Sequence, residues 1–153
     1  MPFFEFFNLD MIKNLLSEPI LFAILNVFFV IATYTDIKVM KIYDKFNIAM
    51  FLTRIVTFFI FGFSFQYLVG GVLMFSCLLL GALMTNARIG GDIKFAGNIG
   101  LFLGFMPSIC VLVIALIINL IFRKFTKNVN AIALAPFLYV GFIILCAITY
   151  FCF

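Results

Sequence analysis

Six apolar runs separated by short breaks dictate what this chain can become. They cover residues 19–35, 47–63, 67–85, 93–105, 107–122 and 131–153. Hydrocarbon admits helices of roughly 17 to 25 apolar residues, whose backbone groups bond within the segment. Barrel strands would alternate apolar and polar residues, and these runs do not. Hydrophobic residues make up 67% of the chain, against roughly 45–50% in soluble domains. The fold class is therefore all-α, a polytopic membrane protein of about six transmembrane helices. At 153 residues it makes one transmembrane domain, residues 1–153. The fourth run is short and holds Gly97, Gly100 and Gly104. It is expected to tilt little, to thin the bilayer locally or to be sheltered by protein.

The breaks are of two kinds. Three carry charge, "DIKVMKIYDKF", "NARIGGDIK" and "RKFTKN", and hold Lys38, Lys41, Lys45, Arg88, Lys94, Arg123, Lys124 and Lys127. That is eight of the ten basic residues, and the breaks near 62–66 and 105–108 hold none. Charged and uncharged breaks alternate along the chain. The positive-inside rule then puts the charged breaks in the cytoplasm and both termini outside. The net charge of +4 is thus a topology signal and no mark of nucleic-acid binding. The Phe-rich residues 1–18 are expected to lie along the outer interface as an amphipathic segment. They carry Glu5, Asp10 and Glu18 against one lysine, which does not suit the basic start of a secretory signal.

Cys77, Cys110, Cys146 and Cys152 all lie in apolar runs without a C-x-x-C pair, and read as packed thiols. With no histidine in the chain, neither a metal site nor a cofactor is expected. Gly70, Gly71 and Gly81 in the third run suit close helix packing.

Three acidic residues remain beyond the first 18: Asp36, Asp44 and Asp92. Asp36 ends the first run and Asp92 begins the fourth, so both sit at similar depth near the cytoplasmic edge. Taken alone, Asp92 after Gly90 and Gly91 is a good N-cap for the fourth helix. Asp36, flanked by Lys38 and Lys41, reads as an interfacial ion pair of little energetic value, and Asp44 beside Lys45 reads the same way. Alternatively, two carboxylates from separate helices face each other with water available. Arg54 is the one base well inside a run; it either snorkels or neutralises a buried acid.

The pattern of motifs resembles the prepilin peptidases, membrane aspartic proteases of type IV pilus and secretion systems. In that family an aspartate at the end of a span is followed, eight residues on, by the Asp/Asn of an Ile/Leu-Pro-Asp/Asn motif. Here Asp36 is followed by Ile42, Tyr43 and Asp44. The second family motif is Gly-x-Gly-Asp-x-Lys ahead of a Gly-rich apolar helix, matched by Gly91, Asp92 and Lys94. Near the end, Ala135, Pro136 and Phe137 look like the family's closing segment. Two departures stand out: Ile89 replaces the first glycine of the second motif, with Gly90 able to lend the same freedom, and Tyr43 replaces the usual proline. The resemblance implies an intramembrane endopeptidase of the short form, because nothing here could house the methyltransferase region of the bifunctional members. It implies Asp36 and Asp92 as a catalytic dyad, supported by Asp44, Gly90, Gly91 and Lys94. Its partners would be pilin-like precursors, a short leader followed by a hydrophobic helix, together with membrane lipid. Its place would be the cytoplasmic (inner) membrane. "IYD" with "GGD" also resembles the presenilin and signal-peptide-peptidase group, where the Tyr-Asp aspartate is catalytic. That comparison favours Asp44, while the spacing to position 44 favours Asp36.

On this reading one carboxyl activates water and the other protonates the leaving amide, while glycines 90 and 91 leave room for an extended substrate backbone. The rival is a non-enzymatic membrane protein, either a degenerate homologue used in assembly or a small ion-coupled carrier. A carrier would more naturally place an acid in mid-span.

Overall fold

The computed structural model describes residues 15, 17–85, 90–125 and 133–152, apart from the side chains of Thr85 and Cys152. Every element among them is a helix: α1 (Pro19–Val39), α2 (Asp44–Phe61), α3 (Phe65–Thr85), α4 (Gly90–Leu103), α5 (Phe105–Phe125) and α6 (Ala135–Cys152). Each overlaps one expected apolar run. Helices α1, α3 and α5 are long and apolar enough to cross a membrane, and α6 is a shorter apolar helix. The proposed interfacial segment lies almost wholly outside the described residues, as do Arg88, Ile89 and Lys127.

Helix boundaries follow backbone chemistry. Pro19 sits in the first turn of α1, where its missing N–H costs no hydrogen bond. α1 ends at Met40 in the left-handed conformation, φ 53°, with its N–H bonded to the Asp36 carbonyl at 2.9 Å. Gly62, φ 89°, ends α2, and Gly104, φ 83°, separates α4 from α5. Glycine takes such angles without the Cβ penalty of other residues.

α4 is the central element, packed against α2, α3 and α5, while α6 packs on α1 and α5. Residues from Phe95 to Gly100 are all buried, so α4 is covered all round by protein. At 14 residues it rises only about 21 Å, short of the roughly 30 Å hydrocarbon core. Its neighbours thus cover with protein a helix too short to cross that core by itself. The closest crossing is α3 on α4. A Cβ on Gly70 would run into the Gly104 and Gly100 backbone, and one on Gly100 into the backbone of Gly70 and Gly71. Without side chains there, the two backbones gain dispersion contact that lipid would not supply. At Gly81 a Cβ would meet nothing within 4 Å, so a side chain there would not obstruct a helix crossing.

Phe29 of α1 is fully buried and ties three helices together. Its ring lies 5.1 Å from Tyr139 and 5.1 Å from Phe142, stacked on both, and 5.8 Å edge-on from Phe95 of α4. This cluster ties the middle of α1 to α4 and α6. Cys77 is exposed and Cys110 and Cys146 half-buried, all three as free thiols.

Candidate active site

Asp36 stands in the last turn of α1 and is only 2% exposed. Its carboxylate Oδ2 accepts the backbone N–H of Ala135 at 2.9 Å. This is one of the orphan donors at the start of α6, where the helix dipole favours an anion. Asp36 is therefore not the interfacial ion pair that its basic neighbours suggest. Lys38 and Lys41 are exposed, and the Lys38 ammonium donates to the Tyr34 hydroxyl at 3.2 Å.

Asp92 lies inside the first turn of α4 rather than at its N-cap, because the helix already includes Gly90. It is half-buried, and the charge of Asp36 acts on it through space. Two acids far apart in the chain thus lie toward the same end of the helix bundle, near enough for one charge to act on the other. Among the described residues no cluster of three or more His, Cys, Asp or Glu could hold a metal ion.

The two glycines before Asp92 differ. A Cβ on Gly90 meets nothing within 4 Å, whereas one on Gly91 would collide with the Ile42 carbonyl. The space at Gly91 is filled by the protein's own α1–α2 connection. Asn47 of α2 donates from Nδ2 to the Gly91 carbonyl at 3.1 Å, and Asn98 Nδ2 donates to the Asn47 carbonyl at 2.9 Å.

Asp44 begins α2 and pairs with Lys94, not with Lys45; Nζ and Oδ1 are 2.6 Å apart. The Lys94 ammonium holds the Asp44 carboxyl below the usual carboxylate range. Both side chains are largely solvent-exposed, so the pair joins the starts of α2 and α4 without adding much stability.

The sequence model of the type IV leader peptidase family matches residues 23–123, well over half of the chain and inclusive of both aspartates. The chain belongs to the type IV leader peptidase family. No curated protein and no solved structure matches it. It is thus a type IV leader peptidase-like protease integrated in a membrane.

Two other features of this leader peptidase are not legible as motifs. Arg54 neither snorkels nor neutralises an acid: it is 2% exposed, and among the described residues no carboxylate pairs with it. Its Nε donates to the Leu101 carbonyl at 2.7 Å and its Nη1 to the Thr57 hydroxyl at 3.3 Å. The guanidinium lies over Phe58 and Tyr67, each at 4.2 Å, and over Phe102 at 4.9 Å. The rings supply the negative potential that a counter-ion would otherwise supply. Asn47 and Asn98 were likewise unmarked in sequence, and polarity on an apolar helix face was the one signal that could have found them.

Proposed function

We propose that the protein is an aspartic endopeptidase that removes the short leader from type IV pilin-like precursors at the cytoplasmic face of the inner membrane. Asp36 and Asp92 would be its catalytic dyad. What supports this reading is the placement of the two acids, one in the last turn of α1 and the other in the first turn of α4, near enough for the charge of one to act on the other. Family membership supports the reaction class. Asp44 is the weaker partner for Asp92, because its side chain is 67% exposed and engaged by Lys94.

The chemistry follows from like charges in one place. Repulsion keeps one carboxyl protonated while the other is ionised, and the pair titrates as a unit. The ionised carboxylate takes a proton from water as its oxygen bonds to the scissile carbonyl carbon. The protonated carboxyl hydrogen-bonds the developing oxyanion. Collapse breaks the C–N bond, and the leaving nitrogen takes a proton from the dyad, restoring its single shared proton. The helix-start donor at Ala135 steadies Asp36 while charge moves. Gly90, with open space beside it, leaves room for an extended substrate backbone.

The test is leader removal in cells that co-express the protein and a pilin-like precursor, followed by gel shift. Asp36→Asn and Asp92→Asn preserve size and remove the titrating group. Each alone should nearly abolish cleavage, and the double variant should be little worse, since a unit does not lose function additively. Asp44→Asn should be milder. Normal cleavage by Asp36→Asn with a dead Asp44→Asn would move the dyad to Asp44 and Asp92. A cytoplasm-specific reporter fused after Lys41 should be active and one near Gln66 silent; the reverse would put the acids on the wrong face.

A further inference from the structure

The buried face of α2 consists of Asn47, Met50, Arg54 and Thr57, a helical stripe turned toward α4. Asn47 is 4% exposed. Its side-chain bond to Gly91 has only one possible sense. A carbonyl can only accept, so the amide NH2 must face Gly91. That leaves Asn47 Oδ1 buried without a hydrogen-bond partner among the described residues. An apolar side chain would fill this position without stranding an acceptor, so the amide is kept at a cost in stability.

What that amide holds is the peptide unit leading into Asp92. The Gly91 carbonyl and the Asp92 N–H belong to one planar group, and its orientation sets where the Asp92 Cα and carboxyl point. Two successive glycines leave such a plane unusually free to rotate. It is held from outside on two sides, by the close approach of the Ile42 carbonyl at Gly91 and by the hydrogen bond from Asn47. The bond from Asn98 is of another kind, because it ends on the Asn47 backbone carbonyl, which any residue at that position would offer. Replacing the Asn47 side chain therefore removes the hydrogen-bonded hold on the Gly91–Asp92 peptide and leaves the Asn98 tie between α2 and α4 in place.

We infer that Asn47 is a positioning residue for the peptidase reaction, holding the peptide that carries Asp92 so that its carboxyl meets Asp36. This rests on the dyad proposed above. Asn47 acts through the backbone of Gly91.

The experiment compares wild type, Asn47→Ala, Asn47→Asp, Asn47→Gln and Asn98→Ala as full-length protein reconstituted in liposomes. kcat, KM and pH–rate profiles are measured on a pilin-like precursor, with thermal unfolding of each variant alongside. A misplacement of about 1 Å near reacting atoms costs roughly 100-fold, so Asn47→Ala should lose about that factor in kcat. Its KM should stay near wild type, and its pH–rate profile should shift because the coupling between the two acids has changed. Asn47→Asp, of equal size but without the NH2 donor, should fall similarly, and it decides the matter if the alanine variant does not accumulate. Asn47→Gln keeps a donor and should recover part of the rate. Asn98→Ala should lower thermal stability and leave kcat near wild type. Equal loss of kcat in Asn47→Ala and Asn98→Ala would overturn the inference, since helix attachment alone would explain it. A raised KM at unchanged kcat would overturn it too, by making Asn47 a substrate contact. An inactive wild type sinks the peptidase reading together with this inference, whereas an active wild type with full kcat in Asn47→Ala and Asn47→Asp sinks this inference alone.

Discussion

Replacing Arg54 by methionine tests whether a lone buried cation stabilises this bundle. Usually such a change removes one half of an ion pair and strands the other, costing about 3–5 kcal/mol. Here no carboxylate among the described residues pairs with the cation, and the group that loses its partner is a carbonyl. Leu101 is among the last four residues of α4, whose carbonyls have no helical donor. Gly100 takes the Gly104 N–H at 2.9 Å, and Leu101 takes Arg54 Nε at 2.7 Å. Leaving the Leu101 carbonyl unpaired costs about 1–3 kcal/mol. Losing the cation from its three rings adds roughly 1–2 kcal/mol, while relief from burying a charge returns a comparable amount. The expected net loss for Arg54→Met is therefore about 1–3 kcal/mol, close to the carbonyl cost alone. For a chain of this size that corresponds to a fall in Tm of roughly 3–10 °C. The assay is thermal unfolding of purified protein in detergent, with cleavage measured below the transition. Arg54 holds the end of α4 remote from Asp92, so the folded variant should keep a kcat near wild type. Arg54→Lys should fall between the two, since an ammonium keeps the charge but not the planar stacking. An Arg54→Met protein that melts at or above the wild-type temperature would refute the reasoning: the cage would then be a net cost, and α4 would not need its cap.

Gly100→Ala, which drives a methyl into the Gly70 backbone, should lose about 1–3 kcal/mol. Gly81→Ala, entering open space, should gain up to about 1 kcal/mol. Equal unfolding midpoints for the two would contradict a backbone crossing at Gly70 and Gly100. Lys94→Met should let the Asp44 carboxyl rise toward its ordinary 3.8, as read by carboxyl NMR titration. Because Lys94 depresses that pKa, the tie is present above the ordinary carboxylate range and is lost as pH falls through the depressed value. Around neutral pH the wild-type rate should therefore show no titration of Asp44, and an Asp44 signal unmoved by Lys94→Met would show that the pair does not form.

Apolar run length and the placing of charge are local properties, so the order of the helices and the ends at which Asp36 and Asp92 fall were readable from the sequence by itself. The short fourth run was readable as an anomaly. Its explanation, burial of α4 among its neighbours, is a property of the packed bundle. The pairing of side chains was decided only by tertiary structure. Lys45 is next to Asp44 in sequence, yet Lys94 makes the contact, because α2 and α4 start side by side. Asp36 has basic neighbours within a turn, yet its partner is the N–H of Ala135, brought over it by the packing of α1 on α6. Asp92 had the context of a helix cap, since glycines disfavour helix by about 1 kcal/mol each. The helix nevertheless takes in Gly90 and Gly91, where Ile42 and Asn47 meet the backbone and override that local preference. Arg54 looked like a charge in need of an acid, and three rings from α2, α3 and α4 fill that role. Propensity and hydropathy act over a few residues along the chain, whereas each of these contacts depends on which helix faces which.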